Sequence, residues 1–231
     1  MKPYQQIPIL ECEELLVPIP LELFAVESPH PYQKLGANYG ERSPYHLRQS
    51  VLNSLIQAQA QLQRYHPNWR IQIFDAYRPV AVQQFMVNYT FSEQVQGLTP
   101  AELLEQRQAI WEQVYQIWAV PSLDPTTPPP HSTGAAVDVT LVDSTGQINM
   151  GSAIDELSAR SHPDFFANSA AALEQQYHCH RQTLWDVMRY SGFQRHPGEW
   201  WHFSLGDQMW AWLSNQTNLA NPVVARYGRL L

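Results

Sequence analysis

Two periodicities follow one another in the first half of the chain. Apolar residues recur every three or four positions over residues 46–65, which predicts an amphipathic helix. The pattern changes to alternation in "NWRIQIFDAYRP", where Ile71 and Ile73 share one face, and this predicts a strand. Pro79 suits the first turn of a helix, so a second helix is expected directly after that strand.

The second half of the chain begins with a clear helix start. Thr99 can cap a helix, Pro100 suits its first turn, and Glu102 completes a capping box. Further elements predicted downstream are a Pro-rich loop at 121–130, a strand at 135–142, a helix at 173–192 and an aromatic strand at 199–205. Because helices and strands are intermixed without a regular βαβ repeat, we predict an α+β fold.

The chain is long enough for one sizeable globular domain. It has 231 residues, of which 44% are hydrophobic, and this is sufficient for a single core. We therefore expect one domain over residues 1–231. Within it, residues 1–45 are predicted to be irregular with short strands, and residues 206–231 to form a weakly patterned C-terminal extension.

Charge and cysteine content exclude several classes of protein. The net charge is −7 and the Lys and Arg residues do not cluster, so nucleic-acid binding is not expected. Cys12 and Cys179 form no disulfide framework and lack metal-site spacing. The N-terminus is interrupted by prolines and acids, and no window of about 18 apolar residues occurs, so we expect neither an export signal nor a membrane span. A soluble, cytoplasmic protein is the resulting expectation.

The strand at 135–142 carries an aspartate among core-type residues. Alternation places the valines on one face and Asp138 on the other, where a buried carboxylate needs a partner. A metal ion would supply that partner, and His131 can turn back beside it because Gly134 gives the turn freedom. One nitrogen and one oxygen ligand suit zinc. The alternative is an aspartate satisfied near the strand start and an unrelated loop histidine.

The segment "GEWWHF" offers the remaining groups of a catalytic zinc site. His202 would be a third protein ligand, which leaves the fourth position open for water. Glu199 would then be available as a general base. Positions three apart point to opposite faces of an ideal strand, so Glu199 must lie outside the ladder or the backbone must bend near Gly198. The alternative is an exposed acid at a strand end and a packed histidine.

An arginine ends the predicted strand in "DAYRP". From this position the side chain of Arg78 can reach a cleft, where a fixed guanidinium would stabilise the oxyanion formed during amide hydrolysis. The alternative is an ordinary ion pair with Asp75 or another acid.

The segments "DAYRP", "HSTGAAVDVTLVD", "MGSAIDELSARSHP" and "GEWWHF" occur in this order along the chain. Together they resemble the D-alanyl-D-alanine dipeptidases, the VanX-type zinc peptidases, over roughly residues 45–205. The resemblance implies the α+β zinc fold shared with D,D-carboxypeptidases and the hedgehog signalling domain, with a central antiparallel sheet and flanking helices. One departure is Pro129, which stands where family members carry a serine.

The resemblance also implies roles for particular residues and one Zn²⁺ per chain. The implied roles are zinc ligation by His131, Asp138 and His202, general-base action by Glu199, transition-state stabilisation by Arg78, and binding of the substrate ammonium by Asp155. An anion that pairs with the free ammonium would reject N-blocked peptides, because they cannot compensate its desolvation.

The implied function is zinc-dependent hydrolysis of free D-Ala-D-Ala in the cytoplasm, with a small D-amino-acid dipeptide as the substrate and neither nucleic acid nor a membrane as a partner. One alternative is a zinc D,D-peptidase acting on longer cell-wall peptides, against which the missing export signal argues. Another is a non-catalytic zinc or peptide-binding module of the same fold. The presence of both Glu199 and Arg78 argues against that module, because a structural zinc needs neither.

Overall fold

The computed structural model of the chain describes residues 2–230. The strands are Leu16–Pro18 (β1), Ala25–Val26 (β2), His46–Arg48 (β3), Arg70–Asp75 (β4), Ala136–Asp143 (β5), Gly146–Gln147 (β6), Gln194–Arg195 (β7) and His202–Ser204 (β8). The α-helices are Pro31–Lys34 (α1), Gln49–Tyr65 (α2), Val80–Gln94 (α3), Pro100–Ile117 (α4), Ala172–Tyr190 (α5) and Gln208–Thr217 (α6). This mixture confirms the predicted α+β fold.

The main sheet has the strand order β2-β4-β5-β8-β7, and β6 pairs with the far end of β5. The β2–β4 pair is parallel, while the other pairs in this sheet are antiparallel. β1 and β3 form a separate antiparallel pair. The expectation of a central antiparallel sheet is therefore confirmed except at its β2 edge.

The main core lies between one face of the sheet and the helices α2 and α5. Ile71 of β4 and Val139 of β5 are fully buried on this face, and Leu55 of α2 and Leu184 of α5 belong to the same cluster. Each such side chain contributes roughly 1.5–3 kcal/mol by leaving water. The predicted alternation of β5 therefore places its branched residues in this core and leaves Asp138 on the opposite face.

Helices α3 and α4 pack together on a second apolar cluster that includes Val82, Val114 and Trp118. The predicted capping box of α4 is present: Thr99 N–H donates to the Glu102 carboxylate at 2.8 Å, and Glu102 N–H donates to the Thr99 hydroxyl at 3.4 Å. This pair of helices ends at the loop that leads to the functional site.

Some element boundaries differ from the prediction. The helix predicted over residues 46–65 begins at Gln49, because residues 46–48 pair with β1 instead. The final aromatic strand is confined to His202–Ser204. The C-terminal extension contains helix α6, whose N-cap Asp207 accepts a hydrogen bond from Trp210 N–H at 2.7 Å.

The two ends of the chain pack on each other. Leu10 N–H donates to the Ala225 carbonyl at 2.8 Å, and Ala225 N–H donates to the Pro8 carbonyl at 3.1 Å. We propose on this basis that the chain forms one domain. Among residues 2–230, no helix has the length and apolar character needed to cross a membrane.

Candidate active site

A row of three polar residues crosses the middle of the sheet. Asp75 of β4 is paired with Asp138 of β5, which is paired in turn with His202 of β8. His131 lies just before β5 in a 3-10 turn that ends at Gly134, whose φ is +72°. This left-handed conformation favours glycine and turns the histidine back over the row.

Three ligand-type atoms converge at this place. Nε2 of His131 lies 3.1 Å from Nδ1 of His202 and 3.2 Å from Oδ2 of Asp138, and Nδ1 of His202 lies 3.0 Å from Oδ1 of Asp138. A tetrahedral ion with bonds of about 2.0–2.1 Å has ligands separated by about 3.3 Å. The spacing therefore fits a small metal ion, and these three buried residues could hold one.

Hydrogen bonds and charge also prepare this group for a metal. The Nδ1–H of His131 donates to the Ala76 carbonyl at 2.7 Å, which orients the ring so that Nε2 faces the other ligand atoms. Burial lowers the pKa of His202, although Asp138 acts in the opposite direction. Burial would raise the pKa of Asp138, but the two histidines lower it well below its usual value. The group therefore offers two imidazole nitrogens and one ionised carboxylate.

Glu199 lies beside these residues and outside the strand ladder. It is in the turn before β8, where its N–H donates to the His196 carbonyl at 3.4 Å. Its Oε2 lies 4.0 Å from Nδ1 of His202, and its Oε1 lies 3.5 Å from Nδ1 of His196. Two residues three positions apart would point to opposite faces of a regular strand. Because Glu199 lies in this turn and not in the strand, its side chain can reach the same site as His202. Burial and the nearby Asp138 and Asp155 raise the pKa of Glu199 well above its usual value.

Arg78 occupies the other side of the ligand group. Its Nε donates to Asp75 at 2.8 Å, and one Nη1–H donates to Gln83 at 2.7 Å. Its Nη2 donates to the Tyr32 hydroxyl and to Asp138, both at 3.2 Å. Of the five guanidinium N–H groups, four have partners within the described chain, and one Nη1–H remains for another acceptor.

The groups around Arg78 stabilise its positive charge and hold the plane of its guanidinium in one orientation. The guanidinium lies against the rings of Tyr32 and Trp118, at 5.0 Å and 4.9 Å from their centroids. Burial works against its charge, but Tyr32, Asp75 and Asp138 raise the pKa of Arg78 well above its usual value. The ion pair with Asp75, which was the structural alternative for this arginine, is therefore present, and it holds the guanidinium at the site.

Asp155 reaches the same cavity from a loop. It has a φ of +62°, a left-handed conformation that aspartate adopts more readily than most other residues with a side chain. Its Oδ2 accepts a hydrogen bond from the Tyr32 hydroxyl at 2.7 Å. Burial and the Asp138 carboxylate raise the pKa of Asp155 to about 7. The side chain is thus held next to the arginine rather than on the outer surface.

All six residues singled out from the sequence line one cavity. Side chains that sequence reasoning missed also line it: Lys2, Tyr4, Gln83, Trp118 and His196. Lys2 and Tyr4 come from a segment without periodicity, so no local pattern pointed to them. Gln83 follows Arg78 by five positions on a predicted helix, but no motif distinguished it.

Comparisons with known proteins agree with this geometry. The family model described as "D-ala-D-ala dipeptidase" matches residues 26–223. A D-alanyl-D-alanine dipeptidase of Synechocystis sp. is 52% identical over 244 aligned positions, which cover 100% of this chain and 97% of that protein. The D-alanyl-D-alanine dipeptidase of Enterococcus faecium is 39% identical over 80 residues, which cover 34% of this chain and 37% of that protein.

A solved structure of the LdcB LD-carboxypeptidase aligns with a TM-score of 0.44 and 14% identity, over 90% of this chain and 75% of that one. The family match and the full-length relative decide the assignment. The chain belongs to the D-Ala-D-Ala dipeptidase family and is a metallopeptidase.

Proposed function

We propose that this protein is a zinc-dependent dipeptidase that hydrolyses the peptide bond of free D-Ala-D-Ala. The observation that carries the proposal is the convergence of His131, Asp138 and His202 beside the Glu199 carboxylate in one cavity. The full-length relative named D-alanyl-D-alanine dipeptidase supports the same substrate.

The ligand set favours zinc over the harder divalent cations. Two imidazole nitrogens and one carboxylate suit zinc, whereas magnesium and calcium prefer oxygen ligands alone. Three protein ligands also leave a position open, as catalytic zinc sites require. We therefore assign one Zn²⁺ per chain to His131, Asp138 and His202. When bound, this ion lowers the pKa of water and polarises a carbonyl group.

Glu199 and Arg78 have different roles in the hydrolysis. Glu199 accepts the proton of the attacking water and later gives a proton to the leaving amine. Its buried position keeps this proton away from bulk water. The free Nη1–H of Arg78 donates to the carbonyl oxygen as negative charge develops there. Asp75 and Gln83 hold the guanidinium in place, so little reorganisation is needed at that moment.

Asp155 is assigned to the free ammonium of the dipeptide. Its carboxylate lines the cavity beside Arg78, with Tyr32 as its hydrogen-bond partner. A peptide with a blocked N-terminus cannot pair with this carboxylate, so the desolvation of Asp155 on binding would not be compensated. This discriminates the proposed dipeptidase from a D,D-peptidase that acts on longer cell-wall peptides.

A cytoplasmic site of action is part of the proposal. Cys12 and Cys179 are both exposed free thiols, and unpaired cysteines are typical of proteins from reducing compartments. A free dipeptide is also a substrate that a cytoplasmic enzyme can meet.

The direct test is release of D-alanine from D-Ala-D-Ala by zinc-loaded protein, with a chelated sample as the control. N-acetyl-D-Ala-D-Ala tests the ammonium requirement in the same assay. We expect metal-dependent release from the free dipeptide and at least about 10-fold slower release from the blocked one. Protein that carries one zinc and releases nothing from the free dipeptide would contradict the proposal.

A further inference from the structure

The first residues of the chain form one wall of the cavity. We call residues 2–9 the N-terminal wall. Gln208 of α6 fixes it, because its Nε2 donates to the Ile7 carbonyl at 2.7 Å and to the Gln5 carbonyl at 3.4 Å. Ile9 forms a parallel bridge with Ala225. The wall is therefore held at several points, and it presents Lys2 and the buried Tyr4 to the cavity.

Within residues 2–230, the Lys2 ammonium has no hydrogen-bond partner. The side chain lines the cavity together with Glu199 and His196. Among the hydrogen bonds and ion pairs of residues 2–230, none involves its Nζ. Burial lowers the pKa of Lys2, although the Glu199 carboxylate acts in the opposite direction. A partly desolvated ammonium of this kind gains most from an anion that enters the cavity.

Arg78 is less available for a substrate anion than Lys2. The Lys and Arg side chains that line the cavity are Lys2 and Arg78. Arg78 already has four of its five N–H groups occupied by Asp75, Gln83, Tyr32 and Asp138. Lys2 is therefore the cation of this cavity with the most N–H groups available to donate to a carboxylate.

Lys2 and Asp155 reach the cavity from different parts of the chain. Asp155 comes from the loop before the 3-10 turn Ala159–Ser161 and is bonded to Tyr32, beside Arg78. Lys2 comes from the N-terminal wall, which is held by Gln208 of α6. A zwitterionic dipeptide has its ammonium and carboxylate at opposite ends. The cavity thus offers an anion for one end and a cation for the other.

We propose that Lys2 binds the C-terminal carboxylate of the dipeptide and makes the enzyme selective for substrates with a free C-terminus. This inference rests on the proposed function and extends it. Together with Asp155, Lys2 would select substrates that carry both a free ammonium and a free carboxylate. The N-terminal wall is then a substrate-binding element rather than a passive cover.

The test compares two substrates and three proteins, each with any purification tag at the C-terminus. The substrates are D-Ala-D-Ala and its C-terminal amide, D-Ala-D-alaninamide. The variants are Lys2→Met and the control Lys34→Met. Lys34 is the other lysine of the chain, and it is half-exposed and paired with Glu27 at 2.8 Å. We expect Lys2→Met to raise KM for D-Ala-D-Ala by about 10- to 100-fold and to leave turnover of the amide unchanged.

The amide separates substrate binding from an effect on Glu199. If Lys2 acted only through the pKa of Glu199, or only held the wall in place, Lys2→Met would slow both substrates equally. That outcome would overturn the inference. Lys34→Met should match the wild type on both substrates. Partial recovery of KM by Lys2→Arg would further support a role in carboxylate binding.

Calorimetric titration of D-Ala-D-Ala into the Glu199→Gln protein distinguishes failure of this inference from failure of the proposed function. Weaker binding by about 10-fold or more when Lys2→Met is added supports the carboxylate site, even if the wild type shows no turnover. Equal binding with and without Lys2→Met overturns it, as does the absence of any binding.

Discussion

Arg78 and Asp138 are in direct contact, with Nη2 of the arginine 3.2 Å from Oδ2 of the aspartate. The same carboxylate oxygen lies 3.2 Å from Nε2 of His131. The guanidinium therefore supports a proposed metal ligand and also lines the cavity where the substrate would react. Replacing Arg78 should affect turnover and metal binding to different degrees, and this difference makes the two roles measurable.

The variant Arg78→Lys should lower kcat by about 10²- to 10³-fold while one zinc per chain is retained at saturating zinc. Lysine keeps the charge, but it cannot bond to Asp75, Gln83 and a substrate oxygen together. Steady-state kinetics and metal analysis measure the two effects. Arg64→Lys is the matched control, because Arg64 is exposed and bonds to Gln61 on the surface of α2. An unchanged kcat in Arg78→Lys would remove this arginine from the proposed mechanism.

The variant Glu199→Gln should lower kcat by about 10²- to 10⁴-fold, because an amide of the same shape cannot accept the proton of the attacking water. The glutamate is outside the proposed ligand set, so zinc content should stay at one per chain. Turnover of D-Ala-D-Ala and metal analysis on the same preparation provide the measurement. Full activity in Glu199→Gln would show that another group is the base.

The variant His202→Ala should weaken zinc binding by at least about 100-fold, since it removes one of three ligands and leaves Asp138 without its partner at 3.0 Å. Competition with a chelator of known affinity measures the change. The control is His162→Ala, which alters an exposed histidine outside the cavity. Equal zinc affinity in His202→Ala and the wild type would mean that the proposed ligand set is wrong.

Substrate affinity should depend on pH through Asp155. Its raised pKa of about 7 means that the carboxylate is ionised above this pH and becomes protonated below it. Because only the ionised form pairs with an ammonium, KM for D-Ala-D-Ala should rise up to tenfold per pH unit as the pH falls below about 7.

The variant Asp155→Asn isolates this effect, because asparagine also tolerates the positive φ at this position. It should raise KM above pH 7 by about 10- to 100-fold, and the ratio of mutant to wild-type KM should approach one at low pH. Steady-state kinetics from pH 5.5 to about 8.5 would measure the ratio. A ratio that is independent of pH would argue against pairing of the Asp155 carboxylate with the substrate.

The core of the site could be predicted because local rules and the tertiary structure agree there. The alternation of β5 placed Asp138 away from the apolar core, and the glycine at position 134 allowed the turn that returns His131. The spacing of Glu199 and His202 required a position outside the ladder, and the turn before β8 provides it. In each case the conformation is determined by residues close in sequence.

Other features depend on contacts between distant parts of the chain. Residues 46–48 fit a helical pattern, but they pair with β1, which the sequence did not identify as their partner. The weakly patterned C-terminal extension forms α6, which is stabilised by its cap and by contact with the N-terminal wall. This contact and the bridge between Ile9 and Ala225 hold the segment that brings Lys2 to the cavity. Periodicity reports local structure, so it could not predict these placements.

The contact between Gln208 and Ile7 also sets the order in which the enzyme becomes complete on the ribosome. Ile7 is synthesised 201 positions before Gln208, so the N-terminal wall waits for its anchor in α6. A nascent or truncated chain that ends after His202 would contain every proposed zinc ligand and yet lack the helix that holds the wall carrying Lys2. The proposed metal ligands are therefore all synthesised before the anchor of the proposed carboxylate site.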